Sequence, residues 1–201
     1  MSTETVALDL DFKGQRNYIT GADIARSMLA IIGPCVSLRI EFHHMAAVAL
    51  MMREVAATEL PALKHRDDVY ALMACKDRSS SLRYWIAQAM PQAPELSRVD
   101  YDESIYTRSA VLMASSIQAD AHALQTNPLD SLVALNKHLL NHCVEVHPWI
   151  FVRLDLQQWP FDSNDVLLNL VGNASHGIQR TTISSNGKVV GSVYFTRRPA
   201  P

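Results

Sequence analysis

The chain has 201 residues, of which 48% are hydrophobic and 19% are charged, and its formal net charge is −2. This composition is typical of a globular protein with a sizeable core and argues against disorder. Lys and Arg are scattered without forming a basic patch, so we expect binding neither to nucleic acid nor to an anionic membrane surface. The longest uninterrupted apolar run, 45–52, is too short to span a bilayer.

The N-terminus and the cysteines predict a cytoplasmic location. The first twelve residues carry acidic side chains and lack the basic and apolar regions of a signal peptide. The three cysteines, Cys35, Cys75 and Cys143, are odd in number and widely spaced, which fits neither a disulfide framework nor a metal knuckle. We therefore expect reduced thiols in a cytoplasmic protein.

The first half opens with a strand, a helix and a second strand. Residues 6–12 alternate apolar and polar side chains, which is the period of a half-buried strand. Thr20 is a good N-cap, and Asp23 lies three residues later, where a capping box places its acid. The apolar stripe that follows ends at Gly33, and 37–44 alternates again as a strand.

The segment 45–58 is rich in Ala and Met and predicts a helix. Methionine adapts to varied apolar partners, so this helix could cover an apolar tunnel or form a surface for a second copy of the chain or for a partner enzyme. The alternative is an extra helix packed on the sheet. Residues 68–74 and 83–86 then form a predicted hairpin, and the last strand of the first half is expected at 96–101.

The second half repeats this order. A strand at 105–113 is expected to open it, and Asn127 with Pro128 gives a strong helix start. Asp130 again lies three residues after the cap. Strands are predicted at 151–158 and 165–171, and the turn at Asn186 and Gly187 joins two further strands as a hairpin.

The two halves match in order and in polarity, so we predict an α+β protein with a duplicated β–α–β–β–β plan. The segment 37–44 matches 151–158, and 68–74 matches 165–171. The offset changes by 17 residues between these blocks, which places an insertion in the first half between His44 and Arg66. The predicted units are 1–101 and 102–201, which together would form one compact domain.

A strand, a long apolar helix and a run of antiparallel strands, occurring twice, resemble the double hot-dog fold. The segment 158–166 looks like the part of hot-dog thioester enzymes in which an aromatic-x-Pro turn and an acidic residue join two strands. The hairpin at 186–191 also looks typical of these enzymes. The resemblance implies an antiparallel sheet wrapped around each central helix. It also implies chemistry on acyl thioesters of coenzyme A or acyl carrier protein near a helix start, without a metal or redox cofactor.

The second helix start resembles the Asp-x-Asn-Pro-Leu-His segment of R-specific enoyl-CoA hydratases. The chain keeps Asn127-Pro128-Leu129, but Gln125 replaces the Asp and Asp130 replaces the His. The resemblance therefore favours a dehydratase or hydratase of 3-hydroxyacyl chains without its usual catalytic pair. An acyl thioesterase and a non-catalytic acyl-binding or scaffolding protein remain as alternatives. Asn127 and Gln125 are candidates for substrate binding.

Asp23 and Asp130 are the main catalytic candidates, since a carboxylate in an apolar tunnel can act as a general acid or base. The alternative is that both only stabilise their helices. His122, preceded by Asp120, is a candidate proton shuttle, and His176 in a hairpin loop is a weaker one.

Polar side chains of the loop that enters the first helix form a second candidate group. Asn17 and Arg16 lie there and could hold a water or a carbonyl oxygen, or simply form a turn. His138 and His142 are one helical turn apart, but no third ligand accompanies them, so no metal site is predicted.

Overall fold

The computed structural model describes residues 4–119, 121–175 and 177–198. The chain divides into two compact units, Met1–Tyr101 and Asp102–Pro201. The first is called unit 1 and the second unit 2.

Unit 1 contains one long helix and seven strands among its described residues. Its elements are β1 Thr5–Ala7, β2 Phe12–Lys13, α1 Gly21–Ile32, β3 Ser37–Phe42, β4 Leu50–Val55, a 3-10 turn Ala57–Glu59, α2 Leu60–Leu63, β5 Val69–Lys76, β6 Leu82–Ala89 and β7 Arg98–Val99. Five strands form an antiparallel sheet in the order β1-β4-β6-β5-β3. β2 and β7 pair separately and in parallel.

The predicted bounds of α1 are confirmed because its signals are local. The Thr20 hydroxyl accepts a hydrogen bond from the backbone N–H of Asp23, as an N-cap does. At the other end Gly33 has φ of 79°, a conformation that glycine adopts without strain, and its N–H closes the helix on the Leu29 carbonyl.

The predicted helix at 45–58 is wrong. Leu50–Val55 is instead the strand β4, and only the short α2 that follows it, with its 3-10 turn, is helical. Leu50 and Met52 are buried while Met51 and Arg53 are half-buried, which is the two-residue period of a strand. Pairing with β1 on one side and β6 on the other outweighs the helical preference of Ala and Met. Because 45–58 does not form a helix, the partner-binding surface predicted on it is wrong as well.

The short helix α2 belongs to a crossover that covers one face of the sheet of unit 1. β4 and β5 are both antiparallel to β6, so they run parallel to each other with β6 between them. The chain between them contributes to a buried apolar cluster of Val55, Leu63, Val69, Leu72 and Ile86. This cluster holds the connection against the strands.

Unit 2 contains the elements β8 Val111–Leu112, β9 Ser116–Gln118, α3 Ala121–Thr126, α4 Pro128–Cys143, β10 Trp149–Leu156, β11 Val166–Ser175, β12 Ile178–Ser185 and β13 Lys188–Arg197, with a 3-10 turn Glu103–Tyr106 before β8. Its strands follow the order β10-β13-β12-β11-β9-β8 and are antiparallel. α4 lies against β9 and β11.

Two predicted strands are corrected. The strand expected at 105–113 is mostly a 3-10 turn and loop, because Asp102 caps that turn by accepting from the Ser104 N–H at 2.9 Å. The strand that precedes the central helix is instead β9. The strand expected at 96–101 is only β7, which pairs with β2 and not with the main sheet.

Both units confirm the predicted order of strand, long helix and antiparallel strands. After the helix, four strands of the main sheet follow in each unit where the sequence pattern counts three. The order in unit 2, with β11 beside β9 and β13 beside β10, gives successive hairpins. In unit 1 the hairpin β5–β6 matches β11–β12 in sequence, but it has a different position in the strand order. β5 lies beside β3, the strand that follows the helix, whereas β11 lies beside β9, the strand that precedes it. In unit 1 the strand beside the first strand, β1, is β4. The arrangement is that of two hot-dog units with a rearranged strand order in unit 1.

Candidate functional site

Asp23 lies at the start of α1 and is almost completely enclosed, with 1% of its side chain exposed. Its Oδ1 atom is 2.7 Å from Lys13 Nζ and accepts a hydrogen bond from Arg26 Nη2 at 2.8 Å. Its Oδ2 atom accepts from the Thr20 hydroxyl at 2.6 Å. Both carboxylate oxygens therefore have strong donors, and the cap predicted for α1 is the local part of this arrangement.

The loop before α1 is organised by stacking and by backbone hydrogen bonds. The Arg16 guanidinium lies 4.9 Å from the centre of the Tyr101 ring, and Lys13 Nζ lies 4.6 Å from the same ring. Arg98 donates to the Arg16 carbonyl oxygen at 2.8 Å. Asn17 is exposed. The substrate-binding role predicted for Arg16 and Asn17 stays a prediction.

Asp130 lies at the start of α4 and is also buried, with 2% exposed. Its Oδ2 atom accepts a 2.6 Å hydrogen bond from the neutral Nδ2 of Asn127. The same amide nitrogen lies 3.4 Å from the Tyr106 hydroxyl. Asn127 is the N-cap residue, yet its side chain makes no cap hydrogen bond to the backbone. The amide instead links a carboxylate to a phenol.

Tyr106 is the member of this cluster that the sequence did not reveal. It ends the 3-10 turn Glu103–Tyr106 and is 8% exposed. The turn is held to α4 by Lys137, whose Nζ lies 2.8 Å from Glu103 Oε1. The sequence pattern predicted a strand for its segment. No local sequence signal indicates that Tyr106 contacts Asn127, which lies more than twenty positions later. We call Tyr106, Asn127 and Asp130 the α4 cluster.

The other predicted residues of this region have different surroundings. His122 and Gln125 lie on α3, and both side chains are exposed, in contrast to the buried Asp130. The His122 carbonyl oxygen accepts a 3.0 Å hydrogen bond from the Thr126 hydroxyl inside that helix. Asp120 and His176 lie outside the described residues.

His138 and His142 are exposed on α4. Among the residues that the structure describes, no group of three or more His, Cys, Asp or Glu side chains is arranged to hold a metal ion. In the same described part of the chain, no helix has the length and apolar character needed to cross a membrane.

No protein-family model matches the chain, and no curated protein sequence matches it significantly. Several solved structures have a similar shape. The tesB protein of Mycobacterium avium subspecies paratuberculosis is 10% identical, with 98% of this chain and 96% of that chain covered and a TM-score of 0.48. The dehydratase domain of PpsC from Mycobacterium tuberculosis, in complex with C12:1-CoA, is 12% identical, with 98% and 93% covered and a TM-score of 0.45.

A protein of Alicyclobacillus acidocaldarius with a hot dog fold is 12% identical, with 98% of this chain and 93% of that chain covered and a TM-score of 0.45. At such identities, none of these likenesses assigns an activity to this chain. The functional argument therefore depends on its own residues.

Proposed function

We propose that this protein acts on acyl thioesters of coenzyme A or acyl carrier protein, and that it removes water from 3-hydroxyacyl chains or adds water to enoyl chains. The observation that carries the proposal is the α4 cluster. It places a buried carboxylate beside a neutral amide and a phenol, at the first turn of the central helix of a hot-dog unit. Unit 2 is thus the unit to which we assign the reaction.

The surroundings of Asp23 at the start of α1 favour a structural role for this carboxylate. A general base needs a lone pair that can reach the proton of the substrate. At Asp23 the oxygens are engaged by Lys13, Arg26 and Thr20. Breaking the enclosed pair with Lys13 would leave a buried charge uncompensated. We therefore assign Asp23 a structural role.

Dehydration needs a base for the proton on C2 and an acid for the departing 3-hydroxyl group. In the proposed reaction Asp130 takes the C2 proton and the Tyr106 hydroxyl gives its proton to the leaving oxygen. The C3–O bond breaks, a C2–C3 double bond forms and water leaves. The N–H groups of a helix's first turn have no acceptors within the helix, so those of α4 can stabilise the negative charge that develops on the thioester oxygen. Asn127 holds the carboxylate in place.

The test is turnover of 3-hydroxyacyl-CoA and enoyl-CoA thioesters of several chain lengths, followed by the ultraviolet absorbance of the enoyl thioester. Asp130→Asn keeps the shape of the side chain and should lower turnover by about 10²- to 10⁴-fold, the usual contribution of a general base. Asp155→Asn is the matched control, since Asp155 is half-exposed and pairs with Arg153 on β10. Wild-type protein that turns over no chain length would overturn the proposal.

A thioesterase is the second candidate, because hydrolysis needs only one carboxylate to activate a water and Asp130 with its Asn127 amide supplies that group. Release of free thiol from acyl-CoA, lost in Asp130→Asn, would select it over the dehydratase. Binding of acyl thioesters without any turnover would instead indicate the non-catalytic alternative.

A further inference from the structure

Three side chains of unit 2 have a buried polar atom with no hydrogen-bond partner among the described residues, and one of them is the partly buried His147. The other two are fully buried. They are Asn136 of α4, through both of its amide atoms, and Thr181 of β12, through its hydroxyl. Both residues are 0% exposed. Other buried polar side chains of this unit are satisfied: Ser185, for example, donates to the Asn164 carbonyl oxygen at 3.0 Å.

Asn136 belongs to the apolar side of α4. At about 100° per residue, it shares a side of the helix with Leu129 and Leu140, both of them buried. His138, which is exposed, lies on the opposite side. The amide of Asn136 therefore points away from solvent into the interior of the unit.

Thr181 points into the same interior. Along β12 the buried residues alternate with half-buried ones, and Thr181 shares its side with Gln179 and Ile183. It lies opposite Leu170 and Val193 on the two neighbouring strands, so it is in the middle of the sheet. One of these neighbours, β11, is a strand against which α4 lies.

Buried polar groups lower the stability of the folded protein unless they form hydrogen bonds. Leu and Val would fill similar volumes without that effect. A carbonyl oxygen, or a hydroxyl group, could accept from the Asn136 amide, and a hydroxyl could also donate to its Oδ1. The Thr181 hydroxyl can do either. Each of the two side chains therefore suits a neutral oxygen-bearing group.

We propose that Asn136 and Thr181 bind a hydroxyl or carbonyl group carried by the acyl chain of the substrate within unit 2. This inference rests on the proposed function. Asn136 lies six residues beyond Asp130, which is about 9 Å along the helix axis. The oxygen that it binds is therefore several carbons from the thioester, near the middle of the chain, and is not the 3-hydroxyl group. A water molecule has the same hydrogen-bonding chemistry, and the experiment distinguishes the two sources.

The test measures affinities by calorimetry for thioether analogues of acyl-CoA, which cannot be hydrolysed. Two analogues of equal chain length are compared, one with a mid-chain hydroxyl group and one without. Wild-type protein should prefer the hydroxylated chain by about tenfold or more, since a chain that lacks the oxygen leaves the polar groups unpaired. Asn136→Leu with Thr181→Val should remove this preference. Thr181→Ser keeps the hydroxyl and should retain it.

The outcomes separate this inference from the proposed function. Wild-type protein could bind the two analogues equally, or the double variant could keep the preference of the wild type. Either result would mean that Asn136 and Thr181 bind water only, and it would overturn this inference without affecting the proposed function. Failure of wild-type protein to bind either analogue would overturn both proposals. If the double variant does not fold, Thr181→Val alone is used, and its preference must fall below that of Thr181→Ser.

Discussion

Lys13 Nζ and Asp23 Oδ1 lie 2.7 Å apart in unit 1, with only 8% and 1% of their side chains exposed. Ion pairs this deeply enclosed have lost most of their hydration, so removing one partner leaves the other as an uncompensated charge. The pair also joins β2 to the first turn of α1. It thereby fixes the entry of the chain into the central helix.

Asp23→Asn should lower the free energy of unfolding by about 3–5 kcal/mol, because Lys13 would remain buried without its carboxylate. Urea unfolding measures this change. Arg26→Gln is the control, since Arg26 is 47% exposed and its ion pair should contribute less than about 1 kcal/mol. A loss below 1 kcal/mol for Asp23→Asn would contradict the structural role. The double change with Lys13→Met should recover part of the loss.

Tyr106→Phe separates the two proposed reactions. As the acid of a dehydratase, Tyr106 should contribute about 10²-fold or more to turnover, and its removal should affect kcat far more than KM. A thioesterase that depends on Asp130 alone should keep its kcat within a few fold. The measurement is steady-state kinetics on both substrate types. Tyr84→Phe, in unit 1, is the matched control for loss of a phenol hydroxyl.

Gly191→Ala should destabilise the protein through a close backbone approach. A Cβ atom at Gly191 would lie 2.3 Å from the Asp155 carbonyl oxygen and 2.6 Å from Leu156 Cδ2. Since the first of these is backbone, β10 and β13 must move apart, which should cost about 1–3 kcal/mol. Thermal unfolding measures this loss of stability. Gly187→Asn is the control, because nothing lies within 4 Å of its Cβ position and Asn tolerates its φ of 74°. Equal melting temperatures would contradict the clash.

The paired thiols of unit 1 predict a loss of stability at alkaline pH. Burial, with the neighbouring thiol of Cys75, raises the pKa of Cys35 from 9.0 to about 12. Burial also raises the pKa of Cys75. The folded state therefore keeps protons that the unfolded state loses, and this stabilising contribution is complete below about pH 9 and is lost as the pH rises towards 12.

The measurement is urea unfolding at about pH 8 and about pH 10.5, on either side of the unfolded-state pKa. Wild-type protein should lose more stability between the two pH values than Cys35→Ala does. Comparing the two proteins removes the contribution of other groups that titrate in this range. Equal losses in both would rule out a role for Cys35 in the pH dependence.

The sequence predicted those elements whose signals lie within a few residues. Thr20 caps α1, Asn127 precedes the first residue of α4, and Asn186 with Gly187 turns β12 into β13. Such signals act through backbone geometry at one place, so they do not depend on the rest of the fold. The helix α3, which has no comparable start signal, was not predicted.

Composition misled where distant partners decide the structure. The segment 45–58 has the Ala and Met content of a helix, but β1 and β6 take β4 into the sheet. The candidate site shows the same limit. Asp23 and Asp130 are equivalent in the sequence, and only tertiary partners distinguish them: Lys13 at one and Tyr106 near the other. Neither partner can be assigned without the fold.

The parallel placement of β4 and β5, with β6 between them, sets the order in which unit 1 assembles on the ribosome. When β4 emerges, β1 is already available for one of its edges. The other edge has no strand to pair with until Leu82–Ala89 has been synthesised, and an unpaired edge is where chains associate with one another. A nascent chain that stalls before Leu82 therefore leaves this edge of β4 open to foreign strands, and the arrival of β6 covers it.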